Sequence, residues 1–272
     1  MALVARDLTP NTGTEILAPR GELLDGVHAA KLVETLRARG VLVFKGLGLD
    51  EAEQKRFGAT FGEVLEGRDG AVAVAKITLD KSMGAASDYL RGSFYWHLDG
   101  VINDMPDFGV VLSARKLPAV GSVTAFANMY TAYDALSDEE KKRFADIQVV
   151  HSLRVTRLYV NPEPTEELLD EWDRMPSRVR PLVWTHEDGR KSLLIGGTAS
   201  HIVDMPYQEG NLLLRRLTAR ATRADNIYRH QWEVGDTLVW DNTGTMHRAD
   251  VYELDSGRLM HRTGIAGTEL VA

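Results

Sequence analysis

The chain has no cysteine in its 272 residues, so disulfides, thiolate nucleophiles and cysteine-held zinc are excluded. It has no apolar run of membrane-spanning length. Met1-Ala2-Leu3-Val4 passes at once into Arg6, Asp7 and Pro10, without the apolar stretch of a secretory leader. A cytoplasmic protein without a membrane span is expected. A basic run is also missing: 32 Lys and Arg stand against 39 Asp and Glu, a net charge of −7. That balance argues against nucleic acid or an anionic membrane as partner and leaves small molecules. No Pro/Gly/Ser-rich linker, internal repeat or low-complexity tract divides the sequence, so one domain over residues 1–272 is expected.

What is present is a succession of short β-branched and aromatic runs separated by turn residues. Val41-Phe44, Phe108-Ala114, Ser122-Phe126, Ile147-Ser152, Tyr228-Trp232, Thr237-Trp240 and Leu259-Ile265 read as strands, and Leu182-Thr185 with Ser192-Ile195 as a hairpin. Phe108-Ala114 and Ser122-Phe126 read as a pair joined by a turn at Pro118 and Gly121. Helices interrupt them: residues 25–39 carry Ala29, Leu32, Val33 and Leu36 on one stripe before Gly40. Asp50 with Glu53, and Ser137 with Glu140, form capping boxes. The first of these opens a helix whose Phe57 and Phe61 face inward; further helices are expected at Met129-Leu136 and around Leu213, Leu214, Leu217 and Ala221. The Pro-punctuated stretch 155–181, with one short helix near Glu166-Trp172, reads as an insertion serving as lid, oligomer contact or mobile loop. The fold class is a mainly β core with flanking helices.

The chemistry concentrates at Trp96-His97-Leu98-Asp99. If Ser93-Trp96 enters as a strand, the period of two turns His97 and Asp99 to one face, an imidazole beside a carboxylate. His186-Glu187-Asp188 has the same spacing, but Asp188-Gly189 marks a hairpin turn, and that pair reads as solvated. His97 and Asp99 gain a counterpart at His247, which follows the strand Thr237-Trp240 and the turn Asp241-Asn242-Thr243-Gly244. Two His and one carboxylate with open positions suit non-haem Fe(II), with zinc the competitor. A lone His in a strand, such as His151, reads as a hydrogen-bonded core residue.

Four blocks in order, Trp96-His97-Leu98-Asp99, Gly121 to Tyr130, Trp240-Asp241-Asn242 to His247-Arg248-Ala249, and Arg258-Leu259-Met260-His261-Arg262, resemble the TauD/TfdA family of Fe(II)- and 2-oxoglutarate-dependent dioxygenases. The resemblance runs from about residue 40 to the end of the chain. It implies a double-stranded β-helix, the cupin-like jelly roll, and iron held by His97, Asp99 and His247. It also implies that Thr124 and Arg258 bind the distal carboxylate of 2-oxoglutarate. Val123 stands where an acidic residue often precedes that threonine. With O2 as second co-substrate, the implied reaction decarboxylates 2-oxoglutarate to succinate and CO2 and hydroxylates an unactivated C–H bond, cleaving a C–O or C–S bond when the new hydroxyl lies beside the heteroatom. Asp99 speaks for hydroxylation over halogenation, since related halogenases lack the carboxylate.

Arg262 matches the residue that contacts an anionic substrate in members acting on small anions, so a small organic acid is expected. Taurine itself fits poorly: Ser93 replaces an asparagine of that site and Leu65-Asp69 offers no histidine. Tyr89, Ser93, Tyr95 and Arg262 are the expected substrate contacts, fed by the loop 82–95, and a homo-oligomer, dimer or tetramer, is expected. Readings kept beside this one are a non-catalytic metal-binding jelly roll, which has no use for Thr124 and Arg258 together, and a family member acting on a neutral secondary metabolite.

Overall fold

The computed structural model describes residues 3–65, 74–81 and 88–271. The chain opens with β1 (Val4–Asp7), β2 (Thr14–Leu17), α1 (Arg20–Leu24), α2 (Ala29–Arg39), β3 (Val41–Phe44), α3 (Glu51–Gly58) and β4 (Ala75–Ile77). A 3-10 helix, Asp88–Phe94, then leads to β5 (Gly109–Lys116), β6 (Val123–Asn128), α4 (Met129–Asp134), α5 (Asp138–Phe144) and β7 (Gln148–Ser152). Next come α6 (Leu153–Val160), α7 (Glu166–Asp173), β8 (Ser177–Pro181), β9 (Val183–Thr185), β10 (Lys191–Leu193) and β11 (Ala199–Ile202). The last elements are α8 (Tyr207–Ala221), β12 (Ile227–Gln231), β13 (Thr237–Asp241), β14 (Thr245–Ala249) and β15 (Leu259–Ile265). No helix among the described residues is long and apolar enough to cross a membrane.

Two sheets face each other. One has seven strands in the order β1-β2-β3-β13-β5-β15-β4, the other three in the order β12-β6-β14. Strand alternation distributes the apolar side chains. On β13, Val239 joins Leu42, Phe44 and Val111 on the outer face, where Leu32 and Leu36 of α2 and Phe57 of α3 cover them. Leu238 and Trp240 point the other way and meet Phe126, Trp232 and Met260 between the sheets. Each fully buried Leu or Phe of these layers contributes roughly 1.5–3 kcal/mol of burial. A third apolar layer lies behind the small sheet, where Met246 and Ala127 pack with Leu214, Leu217 and the hairpin β9–β10. This is the jelly roll expected from the four blocks.

Most expected elements are present, including both capping boxes. Three readings are corrected. The helix expected over 25–39 begins only at Ala29, after a turn through Gly26, and a separate short helix, α1, precedes it and ends at Leu24. β5 and β6 do not pair: β5 is flanked on both sides by β13 and β15, so its neighbour in sequence crosses to the small sheet and pairs with β12 and β14. The stretch 155–181 holds two helices, and its end is β8, a regular partner of β7. The Gly- and Ser-containing stretch 82–87 lies outside the described residues.

The turn before β14 depends on a close approach. Tyr130 is buried, its hydroxyl bonded to Thr243 Oγ1 at 3.0 Å and to the Asp241 carboxylate at 3.3 Å. A Cβ on Gly244 would sit 1.9 Å from the Tyr130 ring, and a pinned ring cannot give way. Gly244→Ala is therefore expected to lower stability by about 1–3 kcal/mol in urea denaturation. Gly21→Ala, where a Cβ meets nothing within 4 Å, is expected to be neutral or slightly stabilising.

Candidate active site

His97 and His247 are joined by their backbones. The His97 N–H donates to the His247 carbonyl at 3.0 Å and the His247 N–H to the His97 carbonyl at 2.9 Å, a single antiparallel bridge on the edge of β14. Residues opposed in this way project to the same face, and the two imidazoles lie 4.2 Å apart between ring centres. The segment entering the bridge is the 3-10 helix, which corrects the strand read over Ser93-Trp96: backbone pairing with β14 begins only at His97. Alternation still holds for the next two residues. Leu98 enters the apolar layer behind the small sheet, and Asp99 turns back beside His97. A Cβ on Gly196 would stand 3.0 Å from the Trp96 carbonyl and 3.3 Å from the His97 Cα, so glycine there lets the hairpin approach this segment.

His97, Asp99 and His247 each turn one ligand atom into a space where all three lie within 4.8 Å of one another. Asp99 Oδ1 is 3.6 Å from His97 Nε2 and 4.0 Å from His247 Nε2. Asp99 Oδ2 is taken by Arg262, whose Nη2 donates to it at 3.0 Å and to Asp107 Oδ2 at 3.5 Å. The main chain of Asp99 is held as well, because the Asn242 amide donates to its carbonyl at 3.1 Å and accepts from its N–H at 3.3 Å. His97 Nδ1 donates to the Tyr95 carbonyl at 2.8 Å, which leaves Nε2 bare for a ligand.

The charges suit a cation. Burial, with the neighbouring His97, pushes the His247 imidazole down to about 3, so it is neutral and able to ligate. Burial works against ionising Asp99, yet Arg262, His247 and His97 together hold its carboxyl well below the usual range. Asp107 is shifted upward by burial and by Asp99, with Arg262 opposing.

Thr124 and His247 share a face of the small sheet, since Thr124 lies opposite Ala249 and His247 opposite Phe126. The Thr124 hydroxyl accepts from Trp232 Nε1 at 2.9 Å, which leaves its own proton to donate. Arg258 is 6% exposed. Its guanidinium stacks over the Tyr252 ring at 4.7 Å and reaches the Tyr252 hydroxyl at 3.4 Å. Among the described residues no carboxylate pairs with it, and burial lowers its pKa from the ordinary arginine value. A desolvated cation of this kind is costly until an anion meets it.

The expected substrate contacts are dispersed. Ser93 is half-buried on the 3-10 helix, and the Tyr95 hydroxyl donates to the Tyr159 carbonyl of α6 at 2.9 Å. The side chain of Tyr89 lies outside the described part of the chain. Arg262 is engaged with two internal carboxylates. The turn at His186-Gly189 is present, but His186 itself is buried, with Ser192 Oγ 2.9 Å from Nε2 and Glu269 Oε2 3.2 Å from Nδ1, which corrects its reading as solvated. His151 is buried on Thr198, away from the triad, as read. Asp107, Asn242, Trp232 and Tyr252 were not singled out beforehand; only Asn242, in the turn before His247, carried a local signal.

A jelly roll with two imidazoles and a carboxylate at the mouth of its small sheet, and a buried arginine opening its last strand, has the architecture of 2-oxoglutarate-dependent oxygenases. The chain belongs to the family described as "Taurine catabolism dioxygenase TauD, TfdA family", which it matches over residues 5–263. It is a dioxygenase dependent on alpha-ketoglutarate, that is, 2-oxoglutarate, with O2 as the other co-substrate. It is 34% identical over 239 residues to the (S)-phenoxypropionate/alpha-ketoglutarate-dioxygenase of Sphingobium herbicidovorans, covering 84% of this chain and 82% of that one. It is 31% identical to the alpha-ketoglutarate-dependent 2,4-dichlorophenoxyacetate dioxygenase of Cupriavidus pinatubonensis, covering 96% and 97%. The crystal structure of AAD-2 in complex with Mn(II) and N-oxalylglycine superposes with a TM-score of 0.83 at 30% identity over 100% of both chains.

Removing Arg262 leaves Asp99 and Asp107 without their shared cation. Arg262→Gln is expected to destabilise the metal-free protein at pH 7 by about 2–4 kcal/mol, discounted for the partial exposure of the pair. Because the folded-state pKa of Asp99 is depressed, this stabilisation is present above about pH 4 and is lost as pH falls through the folded value. Thermal melts of both proteins at pH 7 and at about pH 2 should therefore show a gap that narrows in acid.

Proposed function

We propose that His97, Asp99 and His247 hold one Fe(II), that Arg258 and Thr124 bind the distal carboxylate of 2-oxoglutarate, and that the primary substrate is a small aryl- or alkyl-substituted organic acid. The observation that carries this reading is the buried Arg258 guanidinium, which has no carboxylate partner among the described residues and stands just before the strand that supplies Arg262 to Asp99. The donor set fits the metal: a neutral imidazole at His247, a bare Nε2 at His97, and an ionised carboxylate with one oxygen turned toward both. Two His and one carboxylate leave positions open for co-substrate and O2. Iron bound there would supply the redox chemistry that couples oxidative decarboxylation of 2-oxoglutarate to C–H oxidation. A cytoplasmic setting, which keeps iron ferrous, is part of the same reading.

The protein's own residues supply position and electrostatics. Arg258 pairs with the distal carboxylate in a fork that the Tyr252 ring backs, and the Thr124 hydroxyl, aligned by Trp232, donates to it. Arg262 and Asn242 fix Asp99 by side chain and main chain, so only one oxygen faces the imidazoles. Two relatives are named for phenoxypropionate and 2,4-dichlorophenoxyacetate, both aryloxyalkanoic acids. For such a substrate, the C–H bond beside the ether oxygen becomes C–OH as 2-oxoglutarate and O2 become succinate and CO2. The resulting hemiacetal or hemiketal then separates into a phenol and an oxo acid.

A second reading has its own observation: Arg262 is already paired with Asp99 and Asp107, and a neutral substrate would need no further cation. A panel of aryloxyalkanoates, alkyl carboxylates, sulfonates, sulfate esters and neutral analogues, assayed for substrate-stimulated succinate release and O2 consumption, separates the two. Stimulation by acids is expected; preference for neutral compounds would reverse the substrate assignment. Arg258→Gln should raise the KM for 2-oxoglutarate by roughly 30- to 1000-fold, the equivalent of about 2–4 kcal/mol for a lost charge-assisted pair. An unchanged KM would place the co-substrate carboxylate elsewhere.

A further inference from the structure

The helices α6 and α7 supply no group to the triad or to the arginine assigned to 2-oxoglutarate, yet α6 is apolar without being covered. Leu153, Val155, Leu158, Tyr159 and Val160 are only half-buried, and no residue of this helix is fully buried. It packs on the 3-10 helix and on α7, where Tyr159 meets the Tyr95 ring at 5.2 Å. Apolar side chains left half-covered in this way gain stability when a further surface removes them from water.

An open groove of about 520 Å3 runs between α6 and α8. Tyr159 lines it from α6 and Trp96 from the segment that enters the triad, while Leu214, Arg215, Thr218 and Ala219 line it from α8. Those four recur at the spacing of one helix face. Trp96 immediately precedes His97, so the groove backs the segment that carries the metal ligands.

The helices on its two sides have opposite charge. Beyond α6, α7 has five carboxylates and no cation in its eight residues, Glu166–Asp173. Across the groove, α8 carries Arg215, Arg216 and Arg220 against Glu209 alone. Arg220 is paired with Glu140. Arg215 donates to the Asn211 side chain at 2.8 Å, and neither it nor Arg216, both exposed, has an ion pair with a carboxylate among the described residues. An apolar centre with a basic rim on one side and an acidic rim on the other is complementary to a copy of itself turned by a twofold rotation.

We propose that this groove is the interface of a homodimer, in which the apolar strips of two chains meet and α8 of each lies against α7 of the other. Arg215 and Arg216 then pair with Asp170 and Glu171 of the partner subunit. A different acidic protein would satisfy α8 alone, whereas a second copy satisfies both helices at once. The dimer covers α6 and closes the groove behind Trp96.

Sedimentation velocity on the full chain at micromolar concentration, in ~0.15 M salt, tests this, and the wild-type protein should sediment as a dimer. Arg215→Glu with Arg216→Glu, and separately Asp170→Lys with Glu171→Lys, should each raise the dimer Kd by about 100-fold, because each brings like charges together. Glutamate is a good helix former in α8 and lysine suits the last turn of α7, so the circular dichroism of both variants should match wild type. The chain with all four substitutions should dimerise again, since its pairs are restored with reversed sign; damage to folding would not be repaired this way. A monomeric wild-type chain, which would leave the groove to another partner, overturns the proposal. So does a dimer that neither reversal weakens, or a fourfold variant that stays monomeric.

Discussion

The candidate site depends on two backbone hydrogen bonds, those exchanged between His97 and His247. They join segments 150 positions apart along the chain and face two imidazoles across one antiparallel bridge, so neither ring needs an independent scaffold. Everything nearby keeps that bridge in register. Gly244 lets the chain turn tightly over Tyr130 into β14, Gly196 lets the hairpin approach the Trp96 carbonyl, and Asn242 clamps the main chain of Asp99 from the same turn. Imidazoles held this way need little reorganisation when a cation arrives.

Electrostatics then divide the two arginines. Arg262 is satisfied from within, and its pairing with Asp99 Oδ2 turns Oδ1 toward the imidazoles. Arg258, on the same strand segment, stacks on Tyr252 and has no carboxylate among the described residues. The first cation has internal anions on its Nη2; the second has none among the described residues. That difference separates the residue that shapes the site from the residue that receives a co-substrate, although both are arginines four positions apart.

Much of this was legible in the residues. The turn Asp241-Asn242-Thr243-Gly244 between two β runs located His247, and the period of two placed His97 and Asp99 together even though the entering segment is a 3-10 helix. Both capping boxes formed because they need only residues three apart. What stayed hidden was non-local. That β5 and β6 belong to different sheets follows from β13 and β15 occupying both edges of β5, a competition no local pattern encodes. The same holds for Asp107 beside Arg262 and for Trp232 beside Thr124, contacts made across more than a hundred residues. The aromatic support of Arg258 comes from Tyr252, in a loop whose sequence carries no periodic signal.

Anaerobic equilibrium dialysis with Fe(II) tests the centre of this account most directly. Wild-type protein should bind one Fe(II) per chain at micromolar metal. His247→Ala should bind none while keeping the wild-type circular dichroism, because the bridge uses the backbone of residue 247 and survives loss of the imidazole. A folded His247→Ala protein that still takes up one tightly held Fe(II) would contradict the assignment of His97, Asp99 and His247 as the metal site.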